Sequence, residues 1–298
     1  MAEPSNPTSR VLGVLNFLAA HPEESFSLAE IARHLGLSAG SAHRILTTMA
    51  AAQFLSRDAR RRSYSLGLSA VAVGQAALEK HRGIEAARRE LARLAVELNL
   101  QCSANAVVDG DLLVVAKQGS PRSFRGLTRV GERRPLVPPL GLCHIAWGGA
   151  AALDAYLGAA GPHLAPPVRE HLVASLPVIR QRGYTLAAHG PGARLAREAS
   201  VLPVDRPRDA HWWAGVQQMI RELTLREVQI LDPAQAAPDG VSHIGAPVFS
   251  PSGSVAFQLV ATGLPRDLRA EDIERYAERL CAAAATVTDE LHGRPPGV

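Results

Sequence analysis

The chain has 298 residues and a formal net charge of +4, and 47% of its residues are hydrophobic but only 4% aromatic. Domains hold roughly 100–200 residues, so this length suggests two domains with a mostly aliphatic core. The composition excludes a disordered chain, a collagen and a disulfide scaffold, and no window of about 18 uninterrupted apolar residues predicts a membrane span.

Three segments near the start of the chain carry apolar residues at helical spacing. The first helix is expected over about 9–21. Ser27 and Glu30 predict the start of the second, because in a capping box each side chain satisfies the other's free backbone N–H. After a break at Gly36, Ser38 caps a third helix, whose apolar stripe is Ala42, Ile45, Leu46 and Met49. Two short helices joined by a glycine-containing turn predict a helix-turn-helix.

The period of the pattern changes after Gln53, where two short strands at 54–57 and 62–66 flank a turn at 58–61. A hairpin directly after a helix-turn-helix predicts a β-wing. The alternative is a generic small helical domain that happens to carry a hairpin. Three short helices followed by a basic hairpin, in this order, favour the winged form.

The side of the third helix opposite its apolar stripe is expected to face the major groove of DNA. Arg44 suits a bidentate contact to a guanine edge, whereas Ser41 and Thr47 suit phosphate contacts. On an isolated helix such a face is more often simply solvated, but its place in a helix-turn-helix favours DNA. The predicted DNA-binding residues are Ser27, Ser38, Ala39, Gly40, Ser41, His43, Arg44, Thr47, Thr48, Arg57, Arg60, Arg61 and Arg62.

The charge distribution supports the same prediction. Residues 9–66 contain seven arginines and four acidic residues, so +3 of the chain's net charge of +4 lies in this segment. Four of these arginines lie in the predicted wing, where they suit phosphate or a narrow minor groove.

Residues 68–82 predict a helix that is apolar on much of its circumference and that ends at Gly83. Such a helix suits packing against a second copy of itself better than solvation. Another amphipathic helix is expected to follow, from Ile84 to Leu98.

Alternating apolar residues then predict strands in the second half of the chain. A hairpin is expected over about 101–117, because Asp109-Gly110 is a strong turn signal. A second strand pair is expected at His243–Phe249 and Val255–Thr262, and the last helix has one apolar stripe that suits covering a sheet. Helices that flank an antiparallel sheet give an α+β domain. Residues 188–231 do not follow this rhythm, and we interpret them as an insertion with a helix at about 210–225.

Taken together, these segments resemble the IclR-type transcriptional regulators over nearly the whole chain. The segments that carry the resemblance are 9–18, 28–37, 43–46, 64–67, 182–184 and 244–249. It implies a mainly α N-terminal winged helix-turn-helix at 1–67 and a linker helix for dimerisation at 68–82. It further implies an α+β, GAF-like effector domain at 83–298, with an antiparallel sheet flanked by helices.

The resemblance also implies positions for a small-molecule effector site. The family's pocket loop falls on Leu140, Gly141 and Leu142. Its pocket acid falls on Ala187 or Ala188, and a position often held by cysteine is His243. The polar positions of the next strand are Val260 and Thr262. Several of these residue types differ from the family's usual ones, so the resemblance implies a small-molecule effector, with an organic or aromatic acid as the family's usual ligand, and does not identify the molecule.

Cysteines and histidines are the candidates for other chemistry. Cys102, Cys143 and Cys281 fit neither a zinc spacing nor a paired framework, which favours a reducing, cytoplasmic compartment. Cys143-His144 invites a metal or nucleophile interpretation, but adjacent residues of a strand point to opposite faces. His243 inside an apolar strand can be either a core imidazole or a ligand contact. We therefore expect no catalytic residue, no metal site and no cofactor.

Three hypotheses for function follow from the sequence. The first is a ligand-responsive repressor or dual regulator that binds double-stranded DNA and a small-molecule effector, as a homodimer or a dimer of dimers. The second is a small-molecule hydrolase or transferase with an accessory winged helix, whose nucleophile would be sought at Cys143, His144 or His243. The third is a protein-interaction adaptor, which the arginine-rich wing disfavours.

Overall fold

The computed structural model describes residues 7–119, 129–191, 210–235 and 240–296. Part of the expected insertion, residues 192–209, lies outside the described residues. The described chain forms two compact units, one of residues up to His81 with Arg129–Glu132 and the other of the remaining described residues.

The first unit contains the three helices of the predicted helix-turn-helix. They are α1 (Pro7–Ala19), α2 (Leu28–His34) and α3 (Ala39–Ala51), so α1 begins slightly before the expected position. The caps form as expected: Ser27 closes a capping box with Glu30, and the Ser38 side chain accepts from the Ser41 N–H. The buried core of this unit consists of Val14, Phe17, Leu18, Ile31, Leu46, Met49, Leu55 and Tyr64.

A three-stranded antiparallel sheet completes this domain. Strands β2 (Leu55–Asp58) and β3 (Ser63–Leu66) form the expected wing, and the two-residue strand β1 (Phe26–Ser27), which no sequence pattern indicated, pairs with β3. Helix α4 (Leu68–Lys80) follows directly. It ends before Gly83, which lies instead within the next helix, so the expected stop at this glycine is wrong.

The second unit is built on a six-stranded antiparallel sheet of order β6-β5-β4-β9-β8-β7. The predicted hairpins are present as β4 (Gln101–Val108) with β5 (Asp111–Gln118), and β8 (Val241–Phe249) with β9 (Val255–Thr262). The edge strands β6 (Arg133–Pro135) and β7 (Thr185–Ala188) join it through β5 and β8. The antiparallel sheet with flanking helices confirms the predicted α+β fold.

Two long helices cover one face of this sheet. They are α5 (Arg82–Leu98) and the last helix, α11 (Ala270–Glu290). Their apolar stripes pack against the residues of β4, β8 and β9 that point to this face of the sheet, such as Cys102, Ile244 and Leu259. Together these residues form the main aliphatic core.

Three further helices precede β7: α6 (Leu142–Ala146), α7 (Gly149–Ala160) and α8 (Pro166–Arg182). The described part of the expected insertion contains α9 (Ala210–Arg221) and α10 (Leu225–Val228). The helix predicted at about 210–225 is therefore present but shorter. This segment returns along β7, where the Ile230 N–H donates to the Leu186 carbonyl at 2.7 Å.

Candidate nucleic-acid interface and effector site

The exposed side of α3 is a continuous row of small, polar and basic residues. Ala42, Leu46 and Met49 are buried on its other side. The predicted DNA-binding residues that are exposed on α3 and its cap are Ser38, Ala39, Gly40, His43, Arg44, Thr47 and Thr48. A Cβ added to Gly40 would meet no atom within 4 Å, so the first turn of α3 presents bare backbone to its surroundings.

Ser41 differs from the prediction of a direct phosphate contact. Its side chain is buried, and its Oγ accepts a hydrogen bond from Arg10 Nη1 at 3.1 Å. Arg10 lies on α1, 31 positions earlier, and the helical pattern of α1 gave no signal that its side chain would reach α3. The Ser41 hydroxyl is therefore engaged by the Arg10 guanidinium, which supplies a positive charge beside the first turn of α3.

Ser27 is committed to its capping role. Its backbone N–H and its hydroxyl both donate to Glu30 Oε2, at 2.7 and 2.8 Å, and its hydroxyl accepts from the Glu30 N–H. The two hydrogen bonds to the carboxylate lower the pKa of Glu30. This arrangement leaves Ser27 a structural role at the start of α2.

The wing brings its basic residues together on an exposed hairpin. Arg57, Arg60, Arg61 and Arg62 are all exposed. The Arg57 guanidinium lies over the Tyr64 ring, 5.9 Å from its centroid. The turn between the strands is closed by Asp58, whose Oδ1 accepts from the N–H groups of Arg60 and Arg61 at 2.8 and 3.0 Å.

The second unit places most of the predicted effector residues on the sheet face opposite the α5–α11 core. Strand register aligns Ala187, His243, Thr262 and Gln101 across β7, β8, β9 and β4. The next aligned row on the same face contains Thr185, Gly245, Val260 and Ser103. Since side chains alternate along a strand, these two rows form one surface.

Ala188, one of the predicted effector residues, does not lie on this surface. A register shift separates it from Ala187, and its side chain belongs to the aliphatic core on the other face of the sheet. Only Ala187 of this pair lies beside His243.

Three polar residues of this surface were missed by sequence reasoning. Gln101, Ser103 and Gln258 are at most 8% exposed, and their side chains make no hydrogen bond with the described residues. Polar side chains on a mostly buried surface that have no protein partner can bind water or a ligand. The available signal was the alternation of the strands, since Gln101 and Ser103 flank the apolar Cys102 on β4 and Gln258 lies between Phe257 and Leu259 on β9.

His243 has a neutral imidazole in this environment. Burial lowers its pKa to about 4, and the nearby charges of His189 and Arg134 act in the same direction. Its Nδ1 lies 2.9 Å from Ser242 Oγ, and that hydroxyl donates to the Ala187 carbonyl.

The predicted pocket loop runs into α6. Gly141 has a left-handed backbone (φ 81°), and an added Cβ would lie 2.3 Å from Leu136 Cδ1. The Leu140 carbonyl accepts from the buried Tyr156 hydroxyl at 2.9 Å, and Leu142 is buried at the start of α6. These contacts fix the loop by packing and leave its side chains little freedom.

Cys143 and His144 lie on helix α6, so the assumption that they occupy a strand is wrong. Both are buried. Burial raises the pKa of the Cys143 thiol far above its ordinary range and that of Cys102 to about 12. Burial also lowers the pKa of His144 to about 4, and its Nε2 lies 3.3 Å from the Asn105 carbonyl.

The described residues contain neither a metal-binding cluster nor a membrane-spanning helix. Within residues 7–119, 129–191, 210–235 and 240–296, no group of three or more His, Cys, Asp and Glu residues could hold a metal ion. In the same part of the chain, no helix has the length and apolarity needed to cross a bilayer.

Comparison with known proteins gives matches at the level of sequence. Residues 7–59 match the IclR helix-turn-helix domain. The chain is also 28% identical over 144 residues to the HTH-type transcriptional regulator KdgR of Escherichia coli (strain K12). This match spans 47% of the chain and 54% of KdgR, about half of the length of that relative.

Solved structures extend the similarity to the whole fold. An IclR transcriptional regulator from Alicyclobacillus acidocaldarius has a TM-score of 0.67 at 21% identity, over 96% of this chain and 98% of that one. An IclR homolog from Microbacterium hydrocarbonoxydans, crystallised with 4-hydroxybenzoate, has a TM-score of 0.65 at 17% identity, over 96% and 99%.

These matches cover the helix-turn-helix by sequence and nearly the whole chain by fold. Residues 7–59 are therefore an IclR helix-turn-helix domain, and nearly the whole chain has the same fold as the IclR regulators of known structure.

Proposed function

We propose that the protein is a sequence-specific transcriptional regulator whose second unit binds a small-molecule effector. The observation that carries the proposal is the exposed row of α3, with Arg44 and Thr47 on the side away from the buried stripe. It lies in the same compact unit as a wing with four exposed arginines. A helix of this position enters the major groove in helix-turn-helix proteins.

Each part of the interface has a distinct task in this proposal. Arg44 reads a guanine edge, because its guanidinium can donate two hydrogen bonds to O6 and N7. Thr47 and Thr48 contact phosphates, and Arg57, Arg60, Arg61 and Arg62 hold the backbone or the minor groove. Ser38, Ala39 and Gly40 allow the first turn of α3 to approach the DNA closely.

The effector site is the sheet surface that contains Ala187, His243, Val260 and Thr262, with the unpartnered Gln101, Ser103 and Gln258 as its polar groups. Leu140, Gly141 and Leu142 form the loop beside it. The relative crystallised with 4-hydroxybenzoate supports a small organic molecule as the class of ligand. A ligand that binds one arrangement of the units better than another shifts their population and so changes DNA affinity.

The proposal includes a homodimer formed through α4. None of the side chains of α4 is buried, and Leu68, Val71 and Val73 are 79%, 65% and 58% exposed. An apolar helix of this kind gains free energy by packing against a second copy. Two-fold half-sites about 10 base pairs apart, or multiples of that, then follow from the symmetry.

Genome-wide mapping of the binding sites of the full chain tests this proposal. We expect a limited set of sites with a common two-fold sequence, and binding of the purified protein to one of them in a gel-shift assay. Failure to retard any genomic duplex at modest ionic strength, with or without metabolites, would contradict it.

The enzyme hypothesis is not favoured. A nucleophilic thiol acts as its thiolate, and burial raises the pKa of Cys143 above its ordinary value, which disfavours the thiolate. Turnover of an ester or thioester that is abolished by Cys143→Ala would revive this hypothesis.

A further inference from the structure

Asp58 is an acidic residue among the four exposed arginines of the wing. It ends strand β2, and four arginines lie at 57 and 60–62. If the wing contacts phosphate, a carboxylate in this position costs affinity through repulsion. If the wing bound DNA by charge alone, its affinity would be higher without this carboxylate. The presence of Asp58 therefore indicates another role.

The structure gives Asp58 a defined geometric role. Its Oδ1 accepts from the backbone N–H of Arg60 at 2.8 Å and of Arg61 at 3.0 Å. Aspartate side chains that accept from the backbone two and three residues ahead replace a backbone hydrogen bond in the turn. These two hydrogen bonds fix the backbone at Arg60 and Arg61, which with Arg62 form the tip of the wing.

The rest of the turn depends on this geometry. Arg62 has a left-handed backbone (φ 51°), a conformation that arginine rarely adopts. From there the chain enters β3, in which Ser63 pairs with Asp58 and Tyr64 pairs with Arg57. A tip held in one conformation before binding loses less conformational entropy when it meets its partner.

We propose that Asp58 is a positioning residue for DNA binding, whose carboxylate holds the Arg60–Arg62 tip in its binding conformation and whose positional benefit exceeds its repulsion of phosphate. This inference rests on the proposed DNA-binding function. It concerns the backbone of the wing and assigns no direct contact between Asp58 and DNA.

Two substitutions separate position from charge. Asp58→Asn removes the negative charge and keeps an oxygen acceptor for the two N–H groups, whereas Asp58→Ala removes both. Since the two variants have the same charge, the ratio of their affinities for one operator duplex measures the turn alone. We expect Asp58→Asn to bind as tightly as the wild type or more tightly, and Asp58→Ala to bind roughly fivefold more weakly than Asp58→Asn.

Fluorescence anisotropy with the full-length protein, over a range of salt concentrations, gives these affinities. Thermal unfolding serves as the control for folding: the substituted side chain is exposed, so both variants should still unfold cooperatively, with Asp58→Ala at most about 2 kcal/mol less stable than the wild type. Equal affinities of Asp58→Asn and Asp58→Ala would show that Asp58 acts only as a charge, and would overturn the inference.

Hydrogen exchange in the free protein supplies a second measurement that does not depend on DNA. The Arg60 and Arg61 amides should exchange more slowly in the wild type and in Asp58→Asn than in Asp58→Ala. Equal exchange in all three proteins would overturn the inference even if DNA binding is intact. If protection follows this pattern but the wild type binds no duplex, the proposed function fails and the role in DNA binding fails with it, while the turn itself stands.

Discussion

At the residue scale, the interface depends on single side chains whose roles differ in kind. Arg44 stands on the exposed row of α3, while Ser38 and Ser27 serve the helix starts and Ser41 is engaged by Arg10. Sequence spacing places all of them near each other. It does not distinguish a side chain that points to DNA from one that caps a helix, because the same residue types perform both tasks.

Arg44→Ala should relax base preference. We expect the loss of about 1–3 kcal/mol of discrimination at one position of the half-site, because a bidentate guanine contact disappears. Competition binding against operators with single base changes measures this loss. Arg33→Ala, on the exposed side of α2, is the control with the same change in charge. An unchanged preference in Arg44→Ala would show that α3 is not the reading helix.

His144 makes stability depend on pH. Its pKa in the folded protein is about 4, below the ordinary value of 6.5, because burial disfavours the charged ring. Between these values the unfolded chain binds a proton that the native state does not. The stability is therefore complete above about pH 6.5 and falls as the pH decreases towards 4, by about 1.4 kcal/mol per pH unit for one such histidine.

Urea unfolding between pH 7 and 4.5 tests this linkage. His243, whose pKa is also lowered to about 4, contributes in the same direction. The variant His144→Gln should therefore lower the slope of the unfolding free energy against pH by about 1.4 kcal/mol per pH unit, the value for one proton. The slope that remains is due to His243. Identical slopes would mean that His144 does not stay neutral in the fold.

At the scale of elements, the wing and the start of α4 act as a unit. The Gly67 N–H donates to the Phe54 carbonyl at 2.8 Å, and Gly67 lies against the backbone at Gln53 and Leu55. This contact sets where the hairpin ends and the linker helix begins. The sequence shows a glycine here, and only the approach of the two backbone segments explains why it must be one.

Gly67→Ala should destabilise the winged domain by roughly 1–3 kcal/mol, as overpacking does elsewhere. A Cβ at this position would lie 2.3 Å from the Gln53 carbonyl oxygen, which belongs to the backbone and cannot rotate away. Gly40→Ala in α3 is the control, because nothing lies within 4 Å of its Cβ and alanine favours a helix. Thermal unfolding without DNA that ranks Gly67→Ala at or above Gly40→Ala would refute this account.

Arg61→Ala should weaken binding to every duplex and reduce the salt slope of binding by about one unit, because one phosphate contact is lost. Its expected effect thus differs from that of Arg44→Ala, which changes preference. Titrations at several salt concentrations with specific and unrelated duplexes separate the two. Arg88→Ala on α5, outside the winged domain, should change neither affinity nor slope.

At the scale of the whole molecule, the exposed apolar residues of α4 predict the oligomeric state. Val71→Glu should convert a dimer to a monomer and weaken operator binding at least about tenfold, because the two half-sites no longer bind together. Val96→Glu is a matched control, since Val96 is 84% exposed on α5. Analytical ultracentrifugation checks the mass, and a Val71→Glu protein that stays dimeric would place the interface elsewhere.

Caps, turn residues and periodicity within about 20 neighbouring residues were enough to predict the helix-turn-helix, the wing, the two main hairpins and the last helix. Short edge strands such as β1 and β6 were not predicted, because two or three residues are too few to show an alternating pattern. The folded chain was needed to show that Cys143 and His144 are helical and that Ala187 and Ala188 face opposite sides of the sheet. The same holds for the reach of Arg10 to Ser41 and the alignment of Gln101, Ser103 and Gln258. The physical reason is that cross-strand register and burial arise from residues far apart in the chain, which no local pattern encodes.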